Sequence, residues 1–246
     1  MEQGNLYILP AEDDPDGDPK DRAHVALSII DPLSDLITLA YCSTQRAEAE
    51  HGAPYVLIDP TGPTFKVTGL HEATYVYPSR LVTEEVLRLG RPIGRVLDEM
   101  PAVRRELRSA LGIGLGTAHT AGPALGSLRG QLIQLGSLLA EQLATTHAIV
   151  VTNPIYARKQ RYLNIIPLYD ADEYEPATVD VIWDRGVWGG KLALPASVLV
   201  CVSAICSCFG LNQNHVGAVL GQVVGDERMK SIDQALLRHF FADQDR

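Results

Sequence analysis

Short runs in which apolar residues alternate with polar ones, or fill four or five successive positions, recur along this chain and are closed twice by a pattern of helical period. Gly4–Leu9 (GNLYIL) suits a first strand, and His24–Ile30 (HVALSII) a second. Met100, Val103, Leu107, Ala110 and Leu111 then fall on one helical face, behind Asp98 and Glu99 and ahead of Gly112 as a stop. The pattern starts again at Gly130–Leu135 (GQLIQL). It ends on a second helical face, Met229, Ile232, Ala235, Leu236 and Phe240, behind Asp226 and Glu227.

The two passes resemble each other in letters as well as in pattern. HVALSIIDP and HAIVVTNP start 123 positions apart, from 24 to 147, and so do IGRVL and VGAVL, from 93 to 216. Residues 114–127 (GLGTAHTAGPALGS) carry no formal charge and read as a linker between units 1–113 and 128–246. The first unit holds an acidic, proline-bearing stretch with Glu12, Asp13, Asp14, Asp16, Asp18 and Asp21, read as a solvated loop or a docking surface for a basic partner. Its counterpart, Gly136–Thr146, reads as a shorter and far less acidic loop.

A net charge of −9 sets the whole-molecule field against a phosphate backbone, so nucleic-acid binding requires a local basic patch. Arg80, Arg88, Arg91, Arg95, Arg104, Arg105 and Arg108 supply one candidate set, and Arg158, Lys159 and Arg161, in an expected strand-connecting loop, another. No charged n-region precedes an apolar run at the start, which points to a cytoplasmic protein. Leu192–Gly210 is nearly long enough for a membrane span, but Pro195, its serines and its valines favour a buried strand. Cys42, Cys201, Cys206 and Cys208 are too unevenly spaced for a disulfide framework, and the Cys206–Cys208 pair lacks the second pair that a zinc site needs. No metal or cofactor is expected, and the uncharged stretch between Lys191 and Asp226 is expected to be buried against the first unit or a partner.

Thr68–Gly112, with TGL, a strand, RLGRPIGRVLDE and a helix ending in SALG, resembles the C-terminal half of the MazF/PemK toxin family. GNLYIL, His24–Ile30 and Cys42–Gln45 (CSTQ) resemble its first three strands. The resemblance implies a mainly β fold with helices (α+β): two tandem SH3-like β-barrels, each closed by a C-terminal helix, forming a pseudo-dimer within one chain. It further implies an arginine before a proline at the start of the second strand, to stabilise charge on a scissile phosphate, and a hydroxyl at the end of the third.

Here the arginine position falls on Ala23, with Arg22 one residue earlier and His24 in place of the proline, while Ser43 keeps the hydroxyl with Thr44 beside it. A one-residue slip along a strand is expected to turn Arg22 to the other face. In the second unit the two positions fall on Thr146 and Tyr169. His24 and His147 align in letters, which suggests either a paired imidazole site or two strand-start histidines bonded to local backbone.

Taken together, these features favour a degenerate toxin-fold pseudo-dimer that binds a protein partner, an antitoxin-like segment or a transcriptional regulator, in a stress or defence system. The alternative is a toxin-type endoribonuclease cutting single-stranded RNA at one site in the first unit, with Arg22, His24 and Ser43 or Thr44 as its catalytic set. A third use of such folds, poisoning DNA gyrase in the manner of CcdB-like proteins, is selected by no residue of this chain.

Overall fold

Leu6, which is fully buried, is preceded by Gly4, whose φ of +85° is open to glycine at little cost and whose N–H donates to the carbonyl of Ala26 (2.8 Å). Gly130 repeats this device at φ +78°, donating to Val150 (2.8 Å) ahead of the buried Leu132. Each glycine ties the start of one strand to the end of the next, and each opens one of two antiparallel sheets. The computed structural model describes residues 2–10, 21–29, 33–46, 54–114, 128–159, 162–184, 194, 197–209, 214–223 and 225–242.

The first sheet contains β1 (Asn5–Leu9), β2 (Arg22–Ala26), β3 (Leu36–Ser43), β4 (Val56–Ile58), β5 (Thr74–Glu85) and β6 (Gly94–Arg95), in the order β4-β5-β3-β2-β1-β6, and α1 (Met100–Ala110) follows it. The second contains β7 (Gln131–Leu135), β8 (His147–Val150), β9 (Tyr162–Asp170), β10 (Val181–Asp184), β11 (Ser197–Val200), β12 (Cys206–Phe209) and β13 (Val216–Val223), with α2 (Ser137–Leu143) and α3 (Pro154–Lys159) inserted and α4 (Asp226–Phe241) at its end. Its order is β10-β11-β9-β8-β7-β13, with β12 also on β9. Read strand for strand, this is the order of the first sheet. The fold is mainly β with helices, in two antiparallel units each closed by a helix, as the sequence predicts.

One difference in detail matters later. β5 is a single strand whose register jumps between Tyr77, opposite Tyr41, and Leu81, opposite Ala40, leaving Pro78, Ser79 and Arg80 as an excursion. In the second sheet the same role is divided between β11 and β12, both on β9, with a 3-10 turn at Val202–Ala204 between them.

Two readings from the sequence need correction. Gly136–Thr146 holds α2 rather than only a loop, because Leu139 and Leu143 lie one turn apart and cover Ile133, Leu135 and Ile165. Arg158 and Lys159 end α3 rather than lying in a loop. The stretch around Leu192–Gly210 includes strands β11 and β12, and no helix among the described residues is long and apolar enough to cross a membrane. Residues 115–127, the core of the expected linker, lie outside the described residues, as do Asp13, Asp14, Asp16 and Arg161.

The units share one core. Leu6, Val25, Ala40, Val76, Met100, Val103 and Leu107 of the first join Leu132, Ile149, Ile166, Val200, Met229, Ile232, Leu236 and Phe240 of the second in a single apolar cluster. Polar contacts lock the seam. Asn153 caps the end of α1, donating from its backbone N–H to Ala110 (2.7 Å) and from Nδ2 to Ser109 (2.8 Å). The Arg129 side chain, wholly buried, donates to the carbonyls of Leu111 and Val151 and pairs with Asp233 of α4, whose other oxygen accepts from the N–H of Gly114. Burial pulls the pKa of Arg129 down, and the neighbouring Asp233 opposes that pull.

Asp233→Ala leaves a buried guanidinium without its counter-charge and is expected to lower unfolding free energy by about 3–5 kcal/mol, measured by urea denaturation. Arg129→Met combined with Asp233→Leu is expected to cost less than either change to alanine alone, since the double replacement leaves no buried charge.

Candidate functional site

Side chains alternate across a strand, so neighbours already assigned to the core fix the face of the rest. Ala23, Val25, Ala40, Cys42, Val56 and Val76 pack into the shared core. Arg22, His24, Tyr41, Ser43, Tyr75 and Tyr77 therefore lie on the opposite face. The one-residue slip at Arg22 thus has the reverse of its expected effect, because Ala23 is the residue that turns inward and Arg22 is the one that shares a face with Ser43. β2 and β3 pair with His24 opposite Tyr41 and Val25 opposite Ala40, and the same register carried two residues outward sets Arg22 opposite Ser43.

The face is built on tyrosine rings. His24 meets Tyr41 edge-on at 5.7 Å between centroids, Tyr41 lies 6.2 Å from Tyr77, Tyr77 6.3 Å from Tyr55, and Tyr55 5.3 Å from Tyr75. Three guanidiniums rest on these rings. Arg22 is 6.0 Å and Arg80 3.7 Å from the Tyr41 centroid, and Arg46 is 5.0 Å from that of Tyr55. Burial grades along the row, from Tyr41 and Tyr77 inside to Tyr55 at the exposed edge. A chain of net charge −9 thus concentrates cations on one aromatic surface.

His24 is almost fully buried, and desolvation, with smaller contributions from Arg80 and Arg22, holds its pKa down at about 4 against the raising effect of its backbone bond. It is neutral near pH 7. Its Nδ1–H donates to the carbonyl of Arg22 (3.1 Å), since that oxygen only accepts, and Nε2 keeps its lone pair. Ser43 Oγ accepts from the N–H of Gln45 (3.1 Å), and its own proton stays available to a further acceptor. Thr44 follows the strand and is exposed.

No protein-family model matches this chain, and no curated protein matches it. Among solved structures, the Mycobacterium tuberculosis toxin MazF-mt6 is 24% identical over 42% of this chain and 92% of its own, with a TM-score of 0.31. An endoribonuclease in complex with its cognate antitoxin from Mycobacterial species is 17% identical over 46% of this chain and 96% of its own, at 0.33. A further Mtb toxin is 24% identical over 34% and 88%, at 0.25. The likeness is one of fold. Each of these chains is spanned almost whole by less than half of the present one, and what the site does is argued from its residues.

The second unit lacks the polar face. By strand pairing, Leu6 opposite Val25 corresponds to Leu132 opposite Ile149, so the residue in the place of His24 is Ala148, not His147. His147 sits one step along, on the core-facing side, and the two histidines form no pair. Pro167 stands in the place of Tyr41 and Tyr169 in that of Ser43. The equivalent surface, with Ile133, Leu135, Ala148, Val150 and Ile165, is apolar and covered by Leu128, Leu139 of α2 and Ala157 of α3.

Between the units, β5 faces α2, β9 and β12 across a cleft of about 580 Å³ lined by Arg80, Glu84, Arg88, Leu139, Tyr162 and Tyr169 among others. Arg88 pairs with Glu84 (3.2 Å), while Arg91 lies exposed in the following loop. The arginines grouped in sequence do not form one surface. Arg95 bonds Glu2, Arg104 bonds Gln3, and Arg80 is buried between Tyr41 and Tyr162 (4.8 Å). Burial pushes the thiols of Cys42, Cys201, Cys206 and Cys208 well up, so they are poor nucleophiles and ligands; among the described residues no cluster of His, Cys, Asp and Glu is arranged to hold a metal.

The depressed His24 pKa fixes a pH dependence. Below the ordinary value of about 6.5 the unfolded chain takes up a proton that folded His24 refuses until about pH 4, so stability present above pH 6.5 is lost as pH falls through that window, by up to about 3 kcal/mol. Denaturant midpoints at pH 7 and pH 4.5 should therefore differ more in the wild type than in His24→Gln.

Proposed function

We propose that the chain is a cytoplasmic MazF/PemK-type toxin-fold protein, with units 1–113 and 128–246 joined by 114–127, that binds and cuts single-stranded RNA at one site on its first unit. The observation that carries this reading is that Arg22, at the start of β2, and Ser43, at the end of β3, lie on one face of adjacent strands, on a surface of tyrosine rings and guanidiniums. Unpaired bases stack on aromatic rings and arginine planes, and cations track the phosphates. Arg22 supplies charge to a phosphodiester in the transition state, and Ser43 orients it through its hydroxyl.

A second reading draws on the cleft between the units, where Glu84 and Glu85 stand across from Leu139 and Leu143. Its occupant would be an extended, basic and apolar segment of a protein partner, antitoxin-like or regulatory.

The test is cleavage of a varied-sequence RNA. Wild type is expected to cut unpaired regions, Arg22→Ala to lose ~10²–10³-fold in rate, and Ser43→Ala to lose activity with RNA binding retained. Wild type that neither cuts nor binds RNA would sink the proposal and leave the cleft reading, checked by size exclusion with candidate partners.

A further inference from the structure

The least expected cation in the molecule is Arg80. It projects from the three-residue excursion in β5, and that excursion is held in place by the other unit. The N–H of Leu81 donates to Ser207 Oγ of β12 (2.6 Å), Ser207 Oγ donates in turn to Asn164 Oδ1 of β9 (2.6 Å), and Thr83 Oγ1 donates to the carbonyl of Ile205. The guanidinium so delivered lies 3.7 Å from the Tyr41 centroid on the first unit and 4.8 Å from that of Tyr162 on the second. Tyr41 is also the ring against which His24 and Arg22 rest, and His24 binds the carbonyl of Arg22. A continuous line of contacts therefore runs from β9 and β12 through Arg80 and Tyr41 to Arg22 at the start of β2, on the face that also carries Ser43.

We propose that Arg80 is a positioning residue, the pin through which the second unit holds the Arg22–Ser43 site of the first in working shape. The proposal rests on the reading that this face is the functional one. On this view the second unit, with its own face filled, serves the first as a scaffold rather than as a second site. A guanidinium suits the task where an ammonium does not: it is planar, reaches two rings at once, and is weakly hydrated enough to be buried there. Being buried, it acts through Tyr41 and not on substrate.

The experiment uses the full chain with Arg80→Lys, Arg80→Ala and Tyr162→Ala. Three readouts are followed: RNA cleavage kinetics, the NMR signals of the His24 ring, and thermal unfolding. Folded Arg80→Lys and Tyr162→Ala are expected to lose up to ~10²-fold in kcat with KM changed less than about twofold, the mark of misplaced groups rather than lost substrate contacts. The His24 signals are expected to move in all three variants, and in Arg80→Ala its titration midpoint to rise as the neighbouring charge is removed.

Unmoved His24 signals in a folded Arg80→Lys would overturn the proposal, as would a loss confined to KM, which would place Arg80 on the substrate. If the wild type cuts no RNA, the ribonuclease reading fails separately. Moved His24 signals in Tyr162→Ala, a change made on the other unit, would then still support the pin.

Discussion

A guanidinium with no exposed surface has to be answered from every side, and Arg129 is answered by three parts of the chain at once: the end of α1, the end of β8 and the middle of α4. Those parts belong to different units, and the same carboxylate of Asp233 also receives the backbone of Gly114, where the first unit ends. Arg129 and its counter-charge Asp233 both belong to the second unit, while the carbonyl of Leu111 and the N–H of Gly114 bring the end of the first to the same ion pair. The junction joins two sheets of one strand order around a single core, with the cleft between them. Asn153, closing α1 from the second unit, makes the same demand in neutral form.

Because the relation is fixed, the units can divide their labour. One unit presents arginines, tyrosines and a serine on the outer face of its sheet. The other carries Ile133, Leu135, Ala148, Val150 and Ile165 there under two short helices, where the first has, beside its polar residues, its own buried cluster of Tyr7, Leu9, Ala26, Leu39 and Leu89. At the seam, Tyr162 and Ser207 of the second unit contact the first unit's β5.

Much of this could be read from periodicity. β1, β7, α1 and α4 stand where alternation and helical spacing put them, and Gly4 and Gly130 open both units in the same way. The letter match misled where it aligned His24 with His147, since hydrogen-bonded partners, not identities, decide equivalence, and in a strand one residue of error exchanges faces. The same rule explains Arg22: its face depends on which neighbour enters the core, and Ala23 does. α2 left a trace in Leu139 and Leu143 that a loop reading passed over. Arg80 and Arg129 left less. In sequence each is one basic residue among many, and only the extra residues of β5 and the meeting of three chain segments bury them.

The covering of the second face by α2 and α3 has a consequence for descent. In a dimer of identical subunits every substitution appears twice, so a residue that closes one face closes both, and a pin useful on one side must be tolerated on the other. Two sheets of one strand order carried in a single chain are free of that symmetry. Each face can then carry its own residues, and an arrangement with arginines and tyrosines on one face and an apolar cluster on the other becomes reachable that no pair of identical subunits can encode.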